Sequence, residues 1–190
     1  MLKDAPLNTL APGQRQEWLQ ATYGFSQEDL LANRAGRLSS RQQQYLFNTA
    51  LLLLVYSLGF PLICIVPVGL LSLASLLSAT HGLVLVGALL CPGFCIYLVT
   101  LLALPTGIQR LRDAREAQTR VAAGRVKIYQ VHHANRHGIG HTTTSYIVDG
   151  QSLTVLGRRP SQQAVSQMQG QVWRCYYAPH TKFLMSIEAA

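Results

Sequence analysis

Hydrophobic and polar positions divide the chain into three stretches. Residues 1–44 are polar and mixed in sign, with short apolar pairs at Trp18-Leu19 and Leu30-Leu31. The first pair sits in a Gln-rich stretch after Pro12-Gly13, a helix-start arrangement. Ser26-Gln27-Glu28-Asp29 reads as a capping box, with the Ser26 hydroxyl accepting an early backbone N–H and Asp29 reaching back. Gly36 fits the position just past the end of that helix. Ser39 or Ser40, with Gln42 or Gln43 three residues on, can cap a further helix that runs into an apolar tract. That tract suggests two spans, 50–77 and 83–104, inside a hairpin at 45–106, with Thr80-His81-Gly82 as the break. Pro61 and Pro67 are its expected bend points. From 107 to 122 the pattern predicts a basic helix, with Arg112, Glu116 and Arg120 at i, i+4 spacing.

In residues 123–190 the period changes. Arg125–Val131 is strand-like, and Ser145–Val148 and Gln151–Leu156 flank Asp149-Gly150, a strong hairpin signal. Pro160–Met168 reads as a short helix followed by Gly170. Gln171–Tyr177 and Phe183–Ile187 flank the turn residues Ala178-Pro179-His180-Thr181. Three strands, a helix and two strands predict a small antiparallel barrel-like domain of OB or SH3-like type. The expected fold class is therefore an α+β membrane protein: a two-helix transmembrane hairpin with a C-terminal β domain.

Charge sharpens this picture. No Asp, Glu, Lys or Arg occurs in the 68 residues from Gln42 to Gln109, and charged residues are only 13% of the chain, about half the usual share. The first long apolar run begins only near Tyr45, which argues against a cleavable leader. Arg34, Arg37 and Arg41 flank the tract on one side, and Arg110, Arg112, Arg115, Arg120 and Arg125 on the other. With no charge between the spans, this asymmetry places both termini in the cytoplasm of a multi-pass plasma-membrane protein. Thirteen Arg against three Lys suggests a GC-rich bacterial source.

The segment Ala32–Gln42, ANRAGRLSSRQ, resembles uncharacterised bacterial two-span membrane proteins that carry an Ala-Asn-Arg-x-Gly-x-Leu-Ser-like N-terminal motif. The resemblance implies a polar N-terminal helix followed by spans, and it implies no activity.

Candidate chemistry is sparse. His132, His133, His137 and His141 lie within ten residues, but no Cys or carboxylate accompanies them and Arg136 adds a like charge. No metal site is therefore assigned, and no cofactor. Gly87, Cys91 and Cys95 recur every fourth residue and read as a small-residue helix-packing seam, facing span one or another copy. No serine lies in a Gly-x-Ser-x-Gly elbow, and no phosphate-binding glycine loop is present, so no catalytic residue is assigned. Residues 110–190 carry eleven Lys/Arg and four Asp/Glu, a net of +7. Arg110, Arg112, Arg115 and Arg120 are expected to meet anionic headgroups, and lipid is favoured over nucleic acid. The expected function is a non-enzymatic membrane adaptor or accessory subunit whose β domain contacts a protein partner. The alternative is a small transport or channel component formed by oligomerisation.

Overall fold

The computed structural model describes residues 10–77, 97, 101, 103–133, 141–155, 160 and 162–190. They fall into two compact units. One comprises the N-terminal residues through Gln43 with Arg115–Ala190; the other is Gln44–Ala114.

In the first unit, helix α1 (Pro12–Tyr23) opens on Pro at its first turn and closes at Gly24, φ 76°, whose N–H donates to the Gln20 carbonyl at 2.8 Å. Helix α2 (Gln27–Arg34) is set by the capping box read in the sequence. The Asp29 N–H donates to Ser26 Oγ at 3.1 Å, and the Ser26 N–H to Asp29 Oδ2 at 2.8 Å. Gly36, φ 74°, follows its last turn. A second box starts helix α3 (Ser40–Leu77, 38 residues): the Gln42 N–H donates to Ser39 Oγ and the Ser39 N–H to Gln42 Oε1, both at 3.2 Å. The helix continues through Pro61 and Pro67.

The second unit takes in most of α3 and helix α4 (103–116). Gly107 lies against Leu53 and Leu54; a Cβ there would meet Leu54 Cγ at 3.3 Å. Among the described residues no helix is long and apolar enough to cross a membrane. The first turn of α3 is polar. The span expected at 83–104 lies mostly outside the described residues. The two-span hairpin at 45–106 is thus corrected. So are the multi-pass plasma-membrane placement and the cytoplasmic assignment of both termini that depended on it.

The basic helix expected over 107–122 is also corrected. It ends at Glu116, where Ala117 turns the chain at φ 52°. Residues 120–122 belong instead to strand β1 (Arg120–Arg125). Then follow β2 (Lys127–His133), β3 (His141–Val148), β4 (Gln151–Val155), helix α5 (Gln162–Met168), β5 (Val172–Tyr177) and β6 (Phe183–Ala189). The antiparallel domain expected here is a six-stranded mixed sheet in the order β1-β5-β6-β4-β3-β2, with β4 and β6 parallel.

Its two edge strands are consecutive in the chain, separated only by Val126. In a flat sheet the edges would lie about 24 Å apart. One intervening residue spans roughly 7 Å, so the sheet has to curl until its edges meet. Val126 marks the meeting point: its N–H donates to the Gln171 carbonyl and its carbonyl accepts from the Gly170 N–H, both at 2.9 Å. Inside the curl lie Tyr146, Val148, Leu153, Met168, Trp173, Cys175 and Ile187, packed with Trp18, Leu19, Tyr23 and Leu30 from the N-terminal helices.

The β3–β4 connection has the two-residue geometry expected of Asp149-Gly150, with φ 49° and 72°. A Cβ on Gly150 would meet nothing within 4 Å, so any cost of substitution there comes from the backbone. Gly150→Val should destabilise the protein by about 1–3 kcal/mol in urea unfolding, and Gly150→Asn by clearly less. Equal costs for the two would mean that the positive φ is not what fixes this turn.

Candidate functional site

The polar side chains that converge most closely do so where α2 and the start of α3 meet β6. Glu188, on β6, is 4% exposed. Its Oε2 accepts from Arg34 Nε at 2.8 Å and pairs with Arg34 Nη2. Its Oε1 accepts from the Tyr176 hydroxyl at 2.7 Å and from Arg174 Nη1 at 3.2 Å. Sheet register explains two of these partners: Arg174 pairs with Glu188 across β5–β6, and Tyr176 stands one pair further along the same face. The third partner, Arg34, arrives from 154 positions away. Burial alone pushes the Glu188 carboxyl up. The hydrogen bonds from Tyr176 and Arg34, and the charges of Arg34 and Arg174, outweigh burial and hold it below the usual carboxylate range.

Around this carboxylate the corner between α2 and α3 is stitched down residue by residue. Asn33 Nδ2 donates to Ser186 Oγ at 2.7 Å, and Gln42 Nε2 to the Met185 carbonyl at 3.1 Å. The Leu38 N–H donates to the Ala117 carbonyl at 2.8 Å, and the Thr119 N–H to the Gly36 carbonyl at 3.0 Å. Asp29, 3% exposed, accepts from Ser39 Oγ while it caps α2, and Arg41 stands 3.8 Å from it. One carboxylate thus fixes the first turn of α2 to the N-cap of α3. The segment Ala32–Gln42, singled out by its resemblance, is this corner. A cleft of about 320 Å³ opens beside it, with Glu28, Arg37, Ser40 and Gln43 on its walls.

A second polar cluster lies in the core. The Tyr23 hydroxyl donates to Met168 Sδ at 2.8 Å and lies 2.7 Å from the Tyr146 hydroxyl, which therefore donates to it. The rings meet edge to face at 6.0 Å. Burial raises both phenols, Tyr146 to about 12. Burial also pushes the neighbouring Cys175 thiol up to about 12, which leaves it protonated and poorly nucleophilic at neutral pH.

The residues singled out in the sequence are scattered by comparison. Gly87, Cys91 and Cys95 lie outside the described residues. Arg112 and Arg115 are exposed on α4. Arg110 is half-buried there, and burial pulls its guanidinium below the usual value. Arg120 is on β1 and not on the same helix as the other three. His137 lies outside the described residues, and the backbone pairs His133 with His141 across β2–β3. Among the described residues, no three or more His, Cys, Asp or Glu group together in a way that could hold a metal ion. Glu188 was not legible as a site: it reads as a lone acid near the C-terminus, and its only local cue is Arg174 on the preceding strand.

No family model matches the chain, and no curated protein or solved structure is significantly similar to it.

Because the Glu188 pKa is held below its unfolded value, its stabilisation is present above about pH 4.3 and is lost as pH falls through the folded pKa. Glu188→Gln should lower stability at pH 7 by about 1–2 kcal/mol, since both guanidiniums are half-exposed and stay solvated. It should also flatten the acid limb of stability against pH. An unchanged acid limb would assign that limb to other groups. In the core, Tyr23→Phe should cost about 1–3 kcal/mol by leaving the Tyr146 hydroxyl buried without its acceptor. The double change with Tyr146→Phe should cost less than the sum of the singles, as measured by a double-mutant cycle.

Proposed function

We propose that the protein is a non-enzymatic adaptor or accessory subunit whose curled-sheet unit contacts a protein partner. The observation that carries this reading is the outward face of β1 and β5. Register places Val121 with Tyr176, Ala123 with Arg174 and Arg125 with Val172 on one side of the sheet. Val121 and Val172 are half-exposed, and Ala123, Arg125 and Arg174 are exposed between them. Apolar side chains interleaved with guanidiniums are the composition of a protein-contact surface, where Arg contributes disproportionately. Tyr176, on the same face, is buried and hydrogen-bonded to Glu188, so one end of the strip rests on a fixed anchor.

The test is site-specific photocrosslinking from position 172 in living cells, with Val121→Lys as the control. The expected outcome is one dominant crosslinked protein that is lost in the Val121→Lys background, with unfolding free energy changed by no more than about 1 kcal/mol. Crosslinks spread over many unrelated proteins, or unaffected by Val121→Lys, would overturn the reading. Crosslinking to a second copy of the chain would replace the hetero-partner with self-association.

A further inference from the structure

Strand β1 is an edge of the sheet, and its hydrogen bonds fix which backbone groups point outward from that edge. Just before the strand, the Leu38 N–H donates to the Ala117 carbonyl and the Thr119 N–H to the Gly36 carbonyl, which makes an antiparallel bridge between Arg37 and Gln118. Just after it, Val126 bonds in the opposite direction, to Gln171 and Gly170 on the β5 side. Backbone groups of successive residues in a strand alternate between its two sides. Counting from either end gives the same answer. Arg120, Ala122 and Gly124 turn their N–H and C=O groups to β5, and Val121, Ala123 and Arg125 turn theirs to the open edge. All three of these residues are exposed, and among the described residues no strand pairs with them from that side. An open edge is a template for a further strand, and Gly36–Leu38 already pairs in this manner at one end.

Charge decides what can be added. The chain from Gln118 to Lys127 carries Arg120, Arg125 and Lys127 and no acid. Arg37 is exposed on the bridging segment. Among the described residues, Arg37, Arg120 and Arg125 pair with no carboxylate. Glu188 is already shared by Arg34, Arg174 and Tyr176, and Asp149 lies beside Gly124 on the inward face of the strand. A second copy would bring the same arginines and no acid to the seam, and like charges across a strand pair are destabilising. Only a polypeptide supplies alternating donors and acceptors at strand spacing. We propose that the open edge of β1 receives an extended acidic segment of a partner protein. Its main chain pairs with Val121, Ala123 and Arg125, and its carboxylates meet Arg37, Arg120 and Arg125. The inference rests on the adaptor reading and names the partner's chemistry.

The test uses the full chain and a dye-labelled eight-residue peptide alternating Val and Glu, capped at both ends. By fluorescence anisotropy it should bind about tenfold or more tightly than its Lys counterpart, and added salt should weaken it. At saturation, hydrogen exchange of the Val121, Ala123 and Arg125 amides should slow about tenfold, while Ala122 and Gly124, already paired with β5, stay as they were. Ala123→Pro removes the middle outward donor at a position where an edge strand tolerates Pro, and should weaken the peptide about tenfold with the circular dichroism unchanged. Ala123→Val keeps the N–H and should retain binding. Arg125→Glu should weaken the acidic peptide and favour the Lys one. Equal binding of the two peptides, or outward amides whose exchange does not slow, overturns the proposal. If Ala123→Pro leaves the single crosslink from position 172 in place, the partner lies on the face alone: strand addition fails and the adaptor reading stands. Scattered crosslinks with peptide binding and amide protection intact would sink the adaptor reading and support the edge as a receptor for acidic strands. A dimer that Ala123→Pro turns into a monomer assigns the edge to a second copy and overturns the proposal.

Discussion

The Glu188 carboxylate joins two parts of this protein that lie 154 residues apart in sequence. The first compact unit is assembled from two pieces, the N-terminal residues through Gln43 and Arg115–Ala190, with Gln44–Ala114 between them in the chain. Neither piece holds a complete core. The sheet contributes Trp173, Tyr146 and Ile187, and the helices contribute Trp18, Leu19 and Leu30. Hydrophobic burial supplies the drive to bring such faces together, but it is non-directional. Direction comes from a buried acid that has to find its partners. Arg174 and Tyr176 are supplied by the adjacent strand whatever the helices do; Arg34 is satisfied only when α2 lies on β6 in one register. An unpaired buried charge is costly, so misplaced docking of α2 is penalised more steeply than apolar contact alone would penalise it.

The corner between α2 and α3 carries the same logic into the backbone. Asn33, Arg34, Gly36, Leu38 and Ser39 each have a distinct task there: a hydrogen bond to Ser186, the pair with Glu188, a left-handed turn, a main-chain bond to Ala117, and the cap of α3. Asp29 couples the two caps, since it completes the box of α2 and also accepts from the Ser39 hydroxyl. Through these contacts the start of α3 is held in place on the first unit.

Curling of the sheet follows from one covalent fact, the single-residue connection between two edge strands. It gives the unit an interior, and Tyr23 from α1 reaches that interior to meet Tyr146 and Met168. A paired phenol inside an otherwise apolar core fixes where α1 sits, because sliding it would leave two hydroxyls unsatisfied. The outward face of β1 and β5 keeps its valines and arginines exposed, and α3 keeps Leu51, Leu52 and Val55 exposed.

What the sequence determined by itself is local. The Ser26–Asp29 and Ser39–Gln42 boxes, Gly36 after α2, the Asp149-Gly150 turn and the short helix before Gly170 are all in the structure, because each depends on residues within about four positions of one another. The strand-strand-strand-helix-strand-strand order was legible for the same reason. Missed were β1, the parallel β4–β6 pairing and the site around Glu188. Arg120–Arg125 continues a basic helical pattern, and only the β5 edge makes it a strand. A parallel pair needs a crossover whose ends no local signal connects. The long uncharged tract gave the expectation of two crossings, yet among the described residues no helix is long and apolar enough to make one. Composition reports how much a segment avoids water. Which side of it is covered, and by what, depends on partners far away in the chain, and only the tertiary structure brings those together.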